Sequence, residues 1–206
     1  MNAQSLKKAI ESVSALMSEN KDYLVELDAQ NGDGDLGISM SGGYAALVEF
    51  LNGCGETDLG KLMMKCSGVF NEAAPSSLGT ITSFGMMGMA KALKGKDEAS
   101  LAETAEAMEA GIRMIMDKAK SKPGEKTILD ALYPGVEALK EQKDSGAKAA
   151  FTAAAAAAQE GSESTREMRS VHGRAAYYGE KSIGLLDGGS VVGRIIFEGI
   201  RDSLDK

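Results

Sequence analysis

Apolar residues recur at three- and four-residue steps through most of this 206-residue chain, and no stretch shows the sustained alternation expected of a strand. The pattern predicts one long helix over residues 3–27 and a second helix from about residue 36 to 51. The alanine-rich stretch 147–160 predicts a helix that packs closely against a neighbour, and residues 172–190 read mostly as a glycine-rich loop. Seven to nine helices joined by short loops indicate an all-α bundle or barrel, which we expect residues 1–206 to form as a single domain.

Acidic residues outnumber basic ones, with 30 Asp and Glu against 23 Lys and Arg, which gives a net charge of −7. A phosphate backbone or an anionic membrane would be repelled, so we expect neither nucleic acid nor membrane as a partner. The chain shows no apolar signal core and no long apolar run, and Cys54 and Cys66 have no CxxC or zinc-like spacing. These features predict a cytoplasmic protein.

The acidic loop Asp28-Ala-Gln-Asn-Gly-Asp-Gly-Asp35 places three carboxylates within eight residues, with glycines between them. Two such charges about 4 Å apart repel each other by about 4 kcal/mol at a surface dielectric. A cation should offset this repulsion. Oxygen ligands on a glycine-containing loop suit a hard ion such as Mg²⁺ or Ca²⁺ better than zinc.

The spacing of this loop does not fit a calcium-binding EF-hand. If Asn31, Asp33 and Asp35 took its first, third and fifth positions, Leu36 would stand where Gly is required and Gly42 where Glu is required. Mg²⁺ takes its remaining ligands from water and phosphate, so the loop suggests a metal–phosphate site. Asn-Gly and Asp-Gly pairs also form ordinary surface turns, and the residues alone leave both interpretations open.

Two predicted helix starts could take part in binding phosphate. The helix that begins near Leu36 would direct its N-terminus at the acidic loop, which makes most sense if metal and phosphate lie there together. The small, hydroxyl-rich residues 73–80 begin another helix and include Ser76 and Ser77. These hydroxyls can bind phosphate or simply cap the helix.

Two further motifs follow the acidic loop, Lys-Pro-Gly-Glu-Lys-Thr-Ile-Leu-Asp-Ala-Leu-Tyr-Pro at 122–134 and Gly-Arg-Ala-Ala-Tyr-Tyr-Gly-Glu-Lys-Ser-Ile-Gly-Leu-Leu-Asp at 173–187. Together with the loop, they closely resemble the nucleotide-binding L subunit of dihydroxyacetone kinase, from the first helix to the last. The resemblance implies a barrel of about eight antiparallel amphipathic helices. It also implies ADP or ATP bound at one end through two Mg²⁺ ions.

The resemblance carries over to individual positions. Asp28, Asp33 and Asp35 match the family's metal-binding carboxylates, and with Arg174 they are the expected catalytic groups. The expected nucleotide contacts are the phosphate-covering turn Leu36, Gly37, Ile38 and Ser39, the phosphate contacts Ser76 and Ser77, the adenosine-lining Ala119 and Ile128, the Gly-Arg-Ala arginine Arg174, and the closing loop Leu186, Asp187 and Gly188. His172, the sole histidine, is interpreted as part of a loop or of the nucleotide rim.

The implied activity is that of a kinase subunit active only with a partner. It would donate a phosphoryl group to dihydroxyacetone or a related short ketose held by a separate K subunit. A phosphotransferase-system phospho-carrier could recharge the bound nucleotide, or ATP could exchange freely. Formation of a homodimer is a further possibility.

The chain departs from the family pattern at several positions. Leu36 and Ser39 replace a usual His and Asn, Pro75 and Leu78 interrupt a glycine-rich phosphate loop, and Gly188 replaces a proline. Lost glycines prevent close backbone approach, and proline removes an N–H donor. These changes favour an alternative, a nucleotide-binding regulatory module without phosphotransfer. A hydrolase that reuses the metals is less favoured, because no water-activating His or Glu lies near the loop.

Overall fold

The structure, a computed structural model, describes residues 1–205. Within that range it contains nine α-helices: α1 Ala3–Glu19, α2 Lys21–Ala29, α3 Leu36–Gly53, α4 Leu59–Ala73, α5 Ser77–Ala92, α6 Leu101–Ala119, α7 Leu129–Glu141, α8 Ala147–Ser164 and α9 Gly188–Ser203. Two 3₁₀ segments, Thr165–Glu167 and Arg174–Ser182, lie between α8 and α9. Extended pairing in the described residues is limited to one isolated bridge between Asn2 and Glu98. The all-α prediction is confirmed.

Eight of these helices form a closed ring. From α3 to α9 each helix packs against the next, α9 packs against α1, and α1 packs against α3. Neighbours run antiparallel, as in the α4–α5 pair, where Ser67 bonds to Ser83 and Gly60 lies against Lys94. The ninth helix, α2, packs on α3 and α9. The expected barrel of about eight helices is therefore present.

The predicted helix over residues 3–27 is two helices, divided at Asn20. Both the backbone N–H and the side-chain amide of Asn20 donate to the carbonyl of Leu16, which ends α1. Periodicity could not reveal this break, because an Asn side chain competes locally for the backbone without disturbing the apolar spacing. After the break, α2 approaches α3 so closely that a Cβ on Gly37 would lie 2.0 Å from the carbonyl oxygen of Lys21.

The alanine-rich helix α8 packs closely against α7, as its small side chains predict. Ala150, Ala154 and Ala158 are fully buried. Within α7, Pro134 has no N–H to donate to the carbonyl of Asp130 four residues before it. Gly161 of α8 lies against that carbonyl, and a Cβ at this position would be 2.1 Å from its oxygen. Contact between the two backbones therefore depends on this glycine.

The barrel has two different ends. The acidic loop and the starts of α3, α5, α7 and α9 lie at one end, where Ser39 bonds to Ser76 and Gly189 lies against Ile128. The first and last described residues lie at the other end, where Met1 bonds to Ala99 before α6. An apolar cavity of about 310 Å³ extends from the barrel interior toward this second end. No helix within residues 1–205 has both the length and the apolar character needed to cross a membrane.

Candidate functional site

The acidic loop folds around the side chain of Asp28, which lies in the last turn of α2. Its Oδ2 accepts hydrogen bonds from the backbone N–H groups of Gly34, at 2.8 Å, and Asp35, at 3.2 Å. Gly34 has φ +75°, and a Cβ on Gly32 would lie 2.2 Å from Oδ1 of Asp28, so both glycines are required by the turn. The loop is thus an ordered turn that is built on one of its own carboxylates.

This turn brings the three carboxylates together. One oxygen from each of Asp28, Asp33 and Asp35 lies within 4.8 Å of the others, and the side chains of Asp33 and Asp35 are exposed. Partial desolvation, followed by the charges of Asp33 and Asp28, raises the pKa of Asp35, while the Arg174 guanidinium opposes this shift. The donor set is entirely oxygen and negatively charged. It therefore fits a hard divalent cation such as Mg²⁺.

Arg174 is the cation paired with this cluster in the described part of the chain. Its Nη2 lies 2.7 Å from Oδ2 of Asp33, while 68% of the arginine side chain is exposed. Arg174 begins the second 3₁₀ segment, so it reaches the cluster from a part of the chain far from the acidic loop in sequence. The structure therefore brings together all four residues that were predicted to be catalytic.

The two predicted phosphate-binding turns also meet. The Ser76 hydroxyl donates to Oγ of Ser39 at 3.1 Å and accepts from the N–H of Gly79 at 3.0 Å, which makes Ser76 the N-cap of α5. Ser77 and Ile38 are exposed near these helix starts, with Ile38 at 57%. The starts of α3 and α5 are thus held side by side.

Two departures from the family pattern fit each other in space. Leu36 is the first residue of α3 and is buried, and its Cδ2 lies 2.5 Å from where a Cβ on Gly188 would stand. A Cβ at position 188 would therefore require the Leu36 side chain to shift. The first residues of α3 and α9 are in contact at this point.

The residues expected to line the adenosine end of the nucleotide differ in how deeply they are buried. Ile128 is only 2% exposed and lies against Gly189 and Gly193 of α9, while Leu186 is also buried. Ala119 is half-buried at the last residue of α6. Because Ile128 and Leu186 are enclosed in the core, their contact with a nucleotide stays a prediction.

Asp187 joins the closing loop to α9. Its Oδ2 accepts from the N–H of Ser190 at 2.7 Å, and its own N–H donates to Oγ1 of Thr165 at 3.1 Å. Burial raises the pKa of the Asp187 carboxyl to about 7, against the lowering effects of the Ser190 hydrogen bond and the Lys126 charge. The negative charges of Asp130 and Asp28 raise it further.

The Asp187 pKa predicts a pH-dependent stability. Between the ordinary value of 3.8 and the folded value of about 7, the folded protein holds a proton that the unfolded chain releases. The stabilisation is complete below 3.8 and is lost as pH rises through 7. We expect the metal-free protein to lose about 4 kcal/mol of stability over this range relative to Asp187→Asn. Thermal unfolding of both proteins in EDTA from pH 4 to 8 measures the difference, and parallel curves would contradict it.

Three buried residues organise this end of the barrel, and none of them was assigned to the site from the sequence. Asp130 is buried and accepts from the N–H groups of Gly124 and Thr127, and Thr165 is fully buried beneath Asp187. Lys126 is buried as well, although lysines are rarely enclosed. His172, by contrast, is in the loop position expected of it and contacts the carboxylate of Glu125.

Comparison with known proteins identifies the family of this chain. The family model of the DAK2 domain matches residues 30–202. The chain is 28% identical over 177 residues to the ADP-binding subunit DhaL of the PEP-dependent dihydroxyacetone kinase of Escherichia coli K12, covering 85% of this chain and 84% of that protein. It is 30% identical over 185 residues to the corresponding subunit of the PEP-dependent dihydroxyacetone kinase 1 of Listeria innocua, covering 88% and 86%.

A solved structure has the same fold. The dihydroxyacetone kinase of C. freundii in complex with AMP-PNP and Mg²⁺ superposes with a TM-score of 0.77 at 23% identity. The match covers 98% of this chain and 34% of that one, so the chain corresponds to about a third of the solved protein. The match of the family model to most of the chain shows that it belongs to the DAK2 domain family.

Proposed function

We propose that this chain is the Mg-nucleotide-binding subunit of a kinase of the dihydroxyacetone kinase type. It donates a phosphoryl group to dihydroxyacetone or a related short ketose held by a separate K subunit. The observation that carries this proposal is the set of three carboxylates within 4.8 Å, beside the starts of α3 and α5 and facing Arg174. The ADP-binding subunits among its relatives support the nucleotide.

Each part of the site has a separate role in this proposal. Asp28, Asp33 and Asp35 hold Mg²⁺, for which we propose two ions, and bound Mg²⁺ neutralises the phosphate charge during transfer. Asp28 also fixes the turn, so the other two carboxylates keep their positions before the nucleotide arrives. The free N–H groups at the start of α3 attract phosphate oxygens, and the planar guanidinium of Arg174 suits them as well.

The remaining predictions complete the proposal. The nucleotide contacts are Leu36 to Ser39, Ser76, Ser77, Ala119, Ile128, Arg174 and Leu186 to Gly188. The nucleotide is ADP or ATP, the partner is the K subunit, and recharging by a phospho-carrier and homodimer formation belong to the proposal too. We place the protein in the cytoplasm, where its two free cysteines would stay reduced, and treat residues 1–206 as one domain.

Three measurements test the proposal. Native mass spectrometry of the purified protein, with and without EDTA, reads the mass of any ADP and Mg²⁺ that it retains. Isothermal titration with Mg-ADP, repeated in EDTA, then shows whether binding depends on the metal. Phosphorylation of dihydroxyacetone is measured after a K subunit is added. We expect nucleotide binding that depends on Mg²⁺ and phosphoryl transfer that depends on the K subunit. If the chain bound neither ADP nor ATP in the presence of Mg²⁺, the proposal would be refuted.

A regulatory module that binds the nucleotide without transferring phosphate is the second candidate. The enclosed Leu36 and the proline at position 75 favour it, because both replace polar or flexible residues next to the phosphates. This candidate predicts tight Mg-ADP binding without turnover. Substantial phosphorylation of a ketose by the chain and its K partner would eliminate it.

A further inference from the structure

Lys126 binds four backbone carbonyl groups through a single buried ammonium. The residue lies between α6 and α7, is 3% exposed, and has the unusual φ of +61°. Its Nζ donates to the carbonyl oxygens of Thr165 at 2.7 Å, Ser182 at 2.8 Å, Leu185 at 2.5 Å and Met168 at 3.2 Å. An ammonium has three N–H groups, so four acceptors use its full donor capacity.

All four carbonyls belong to residues 165–187, which we call the strap. The strap contains the two 3₁₀ segments and ends where α9 begins. Short 3₁₀ turns leave many carbonyls without regular partners, and a buried carbonyl without a donor is unfavourable. The Lys126 ammonium satisfies carbonyls from both ends of the strap at once. It therefore ties together turns that have little regular secondary structure of their own.

A buried charge needs compensation, and here it comes from the strap. Carbonyl dipoles surround the ammonium, and the Asp187 carboxyl adds an opposing charge only when it ionises, since burial raises its pKa to about 7. Burial still lowers the pKa of Lys126, with the charge of Arg166 acting in the same direction. The lysine thus resembles a cation bound by a carbonyl cage, except that it is covalently attached to the loop before α7.

Two residues of the proposed nucleotide site belong to the strap: Arg174, which is exposed, and Asp187, which is the last residue of the strap. Arg174 pairs with Asp33, and Asp187 leads into Gly188, which contacts Leu36. Lys126 contacts strap carbonyls on both sides of Arg174 in sequence, at Met168 and at Ser182. Loss of the ammonium would therefore release the strap segments before and after Arg174 at the same time.

We propose that Lys126 is a positioning residue that holds the strap over the nucleotide and thereby sets how tightly Mg-ADP is retained. This inference rests on the proposed function and adds to it a residue that does not touch the metal cluster. When the strap is released, the binding-competent conformation is populated only part of the time. The apparent affinity falls by that fraction, so we expect a loss of about tenfold or more.

Lys126→Ala tests the proposal in the full chain, with Lys126→Met as a second variant that keeps the length of the side chain. Circular dichroism confirms that both retain the helices. Three quantities are then compared with wild type: the Kd for Mg-ADP, its dissociation rate, and hydrogen exchange of amides 165–187 without nucleotide. We expect weaker binding, faster dissociation and faster exchange. Lys181→Ala, which removes an exposed lysine of the same strap, should change none of them.

Chemical rescue distinguishes positioning from general damage. Alanine at position 126 lacks the four atoms of n-propylammonium, so this ion should re-enter the cavity of Lys126→Ala and restore both affinity and protection from exchange. Tetramethylammonium has no N–H to donate and should not. The same treatment should leave Lys126→Met unchanged, because its side chain fills the cavity.

The outcomes are separable. Equal Mg-ADP affinity and dissociation in wild type and Lys126→Ala would overturn the role of Lys126 while leaving the proposed function intact, even if exchange increased. Failure of wild type to bind Mg-ADP would refute the proposed function and this inference with it. In that case, faster exchange in Lys126→Ala would show only that Lys126 holds the strap, with no effect on a ligand.

Discussion

Asp33→Ala is expected to weaken Mg-ADP binding by about 100-fold or more, because it removes one of three clustered carboxylates. Asp33 is the most informative of the three. Asp28 also accepts two backbone hydrogen bonds within the turn, so its loss would disturb the backbone, and Asp35 directly precedes the first turn of α3. The Asp33 side chain is exposed and pairs only with Arg174 among the described ion pairs. Its removal should therefore leave the fold unchanged.

Isothermal titration at constant Mg²⁺ measures the affinity of the variant. Asp97→Ala is the matched control, since it removes an exposed aspartate from the loop between α5 and α6 at the far end of the barrel. Asp33→Asn adds a near-isosteric change that keeps the side-chain volume and removes the charge. If Asp33→Ala bound Mg-ADP as tightly as wild type, the cluster could not be the metal site.

Gly161→Ala is expected to destabilise the barrel by about 3 kcal/mol or more, although it adds only one methyl group. That methyl would lie 2.1 Å from the Asp130 carbonyl oxygen and 2.7 Å from Cγ of Pro134. Neither neighbour can rotate away, because one is backbone and the other is a ring. The helices α7 and α8 would have to separate, which would disturb the start of α7 and the loop that Asp130 organises.

Thermal unfolding should show this loss as a Tm about 6–12 °C lower, as expected for a chain of this size. The control is Gly68→Ala in α4, where a Cβ would meet nothing within 4 Å. There the better helix propensity of alanine should stabilise the protein by up to about 1 kcal/mol. If both substitutions had the same effect, close packing of α7 on α8 would not be what requires glycine at position 161.

Apolar periodicity was sufficient to predict the helices, because every ring helix buries one face against its neighbours and must repeat apolar residues at helical spacing. It could not predict the break at Asn20, which depends on one side chain bonding to the backbone. The acidic loop was recognisable because three carboxylates within eight residues require a physical explanation. A turn was one of the two open interpretations of this loop, but the role of Asp28 as its acceptor was not predictable, since the N–H groups that bind Asp28 come from the folded backbone.

Contacts between distant positions were the part that the sequence did not reveal. Leu36 and Gly188 are far apart in sequence, and only the structure shows that they are in contact. Lys126 lies within the 122–134 motif, but nothing in the sequence indicates its role, because its partners are backbone carbonyls and any residue type can supply them. A lysine in a polar loop is ordinarily taken to be exposed, and here tertiary structure reverses that expectation.

The antiparallel ring also determines how a further domain could be joined to this barrel in one polypeptide. The start of α1 lies beside α6 through the Met1–Ala99 contact, and the end of α9 lies beside α8 through the Lys148–Asp205 ion pair. Both attachment points are therefore a full helix length from the acidic loop, about 24 Å for the 16 residues of α9. A tether that brings an attached domain over the phosphates must run back along the barrel, which takes at least about seven extended residues. A separate subunit has no such requirement and can approach the loop directly.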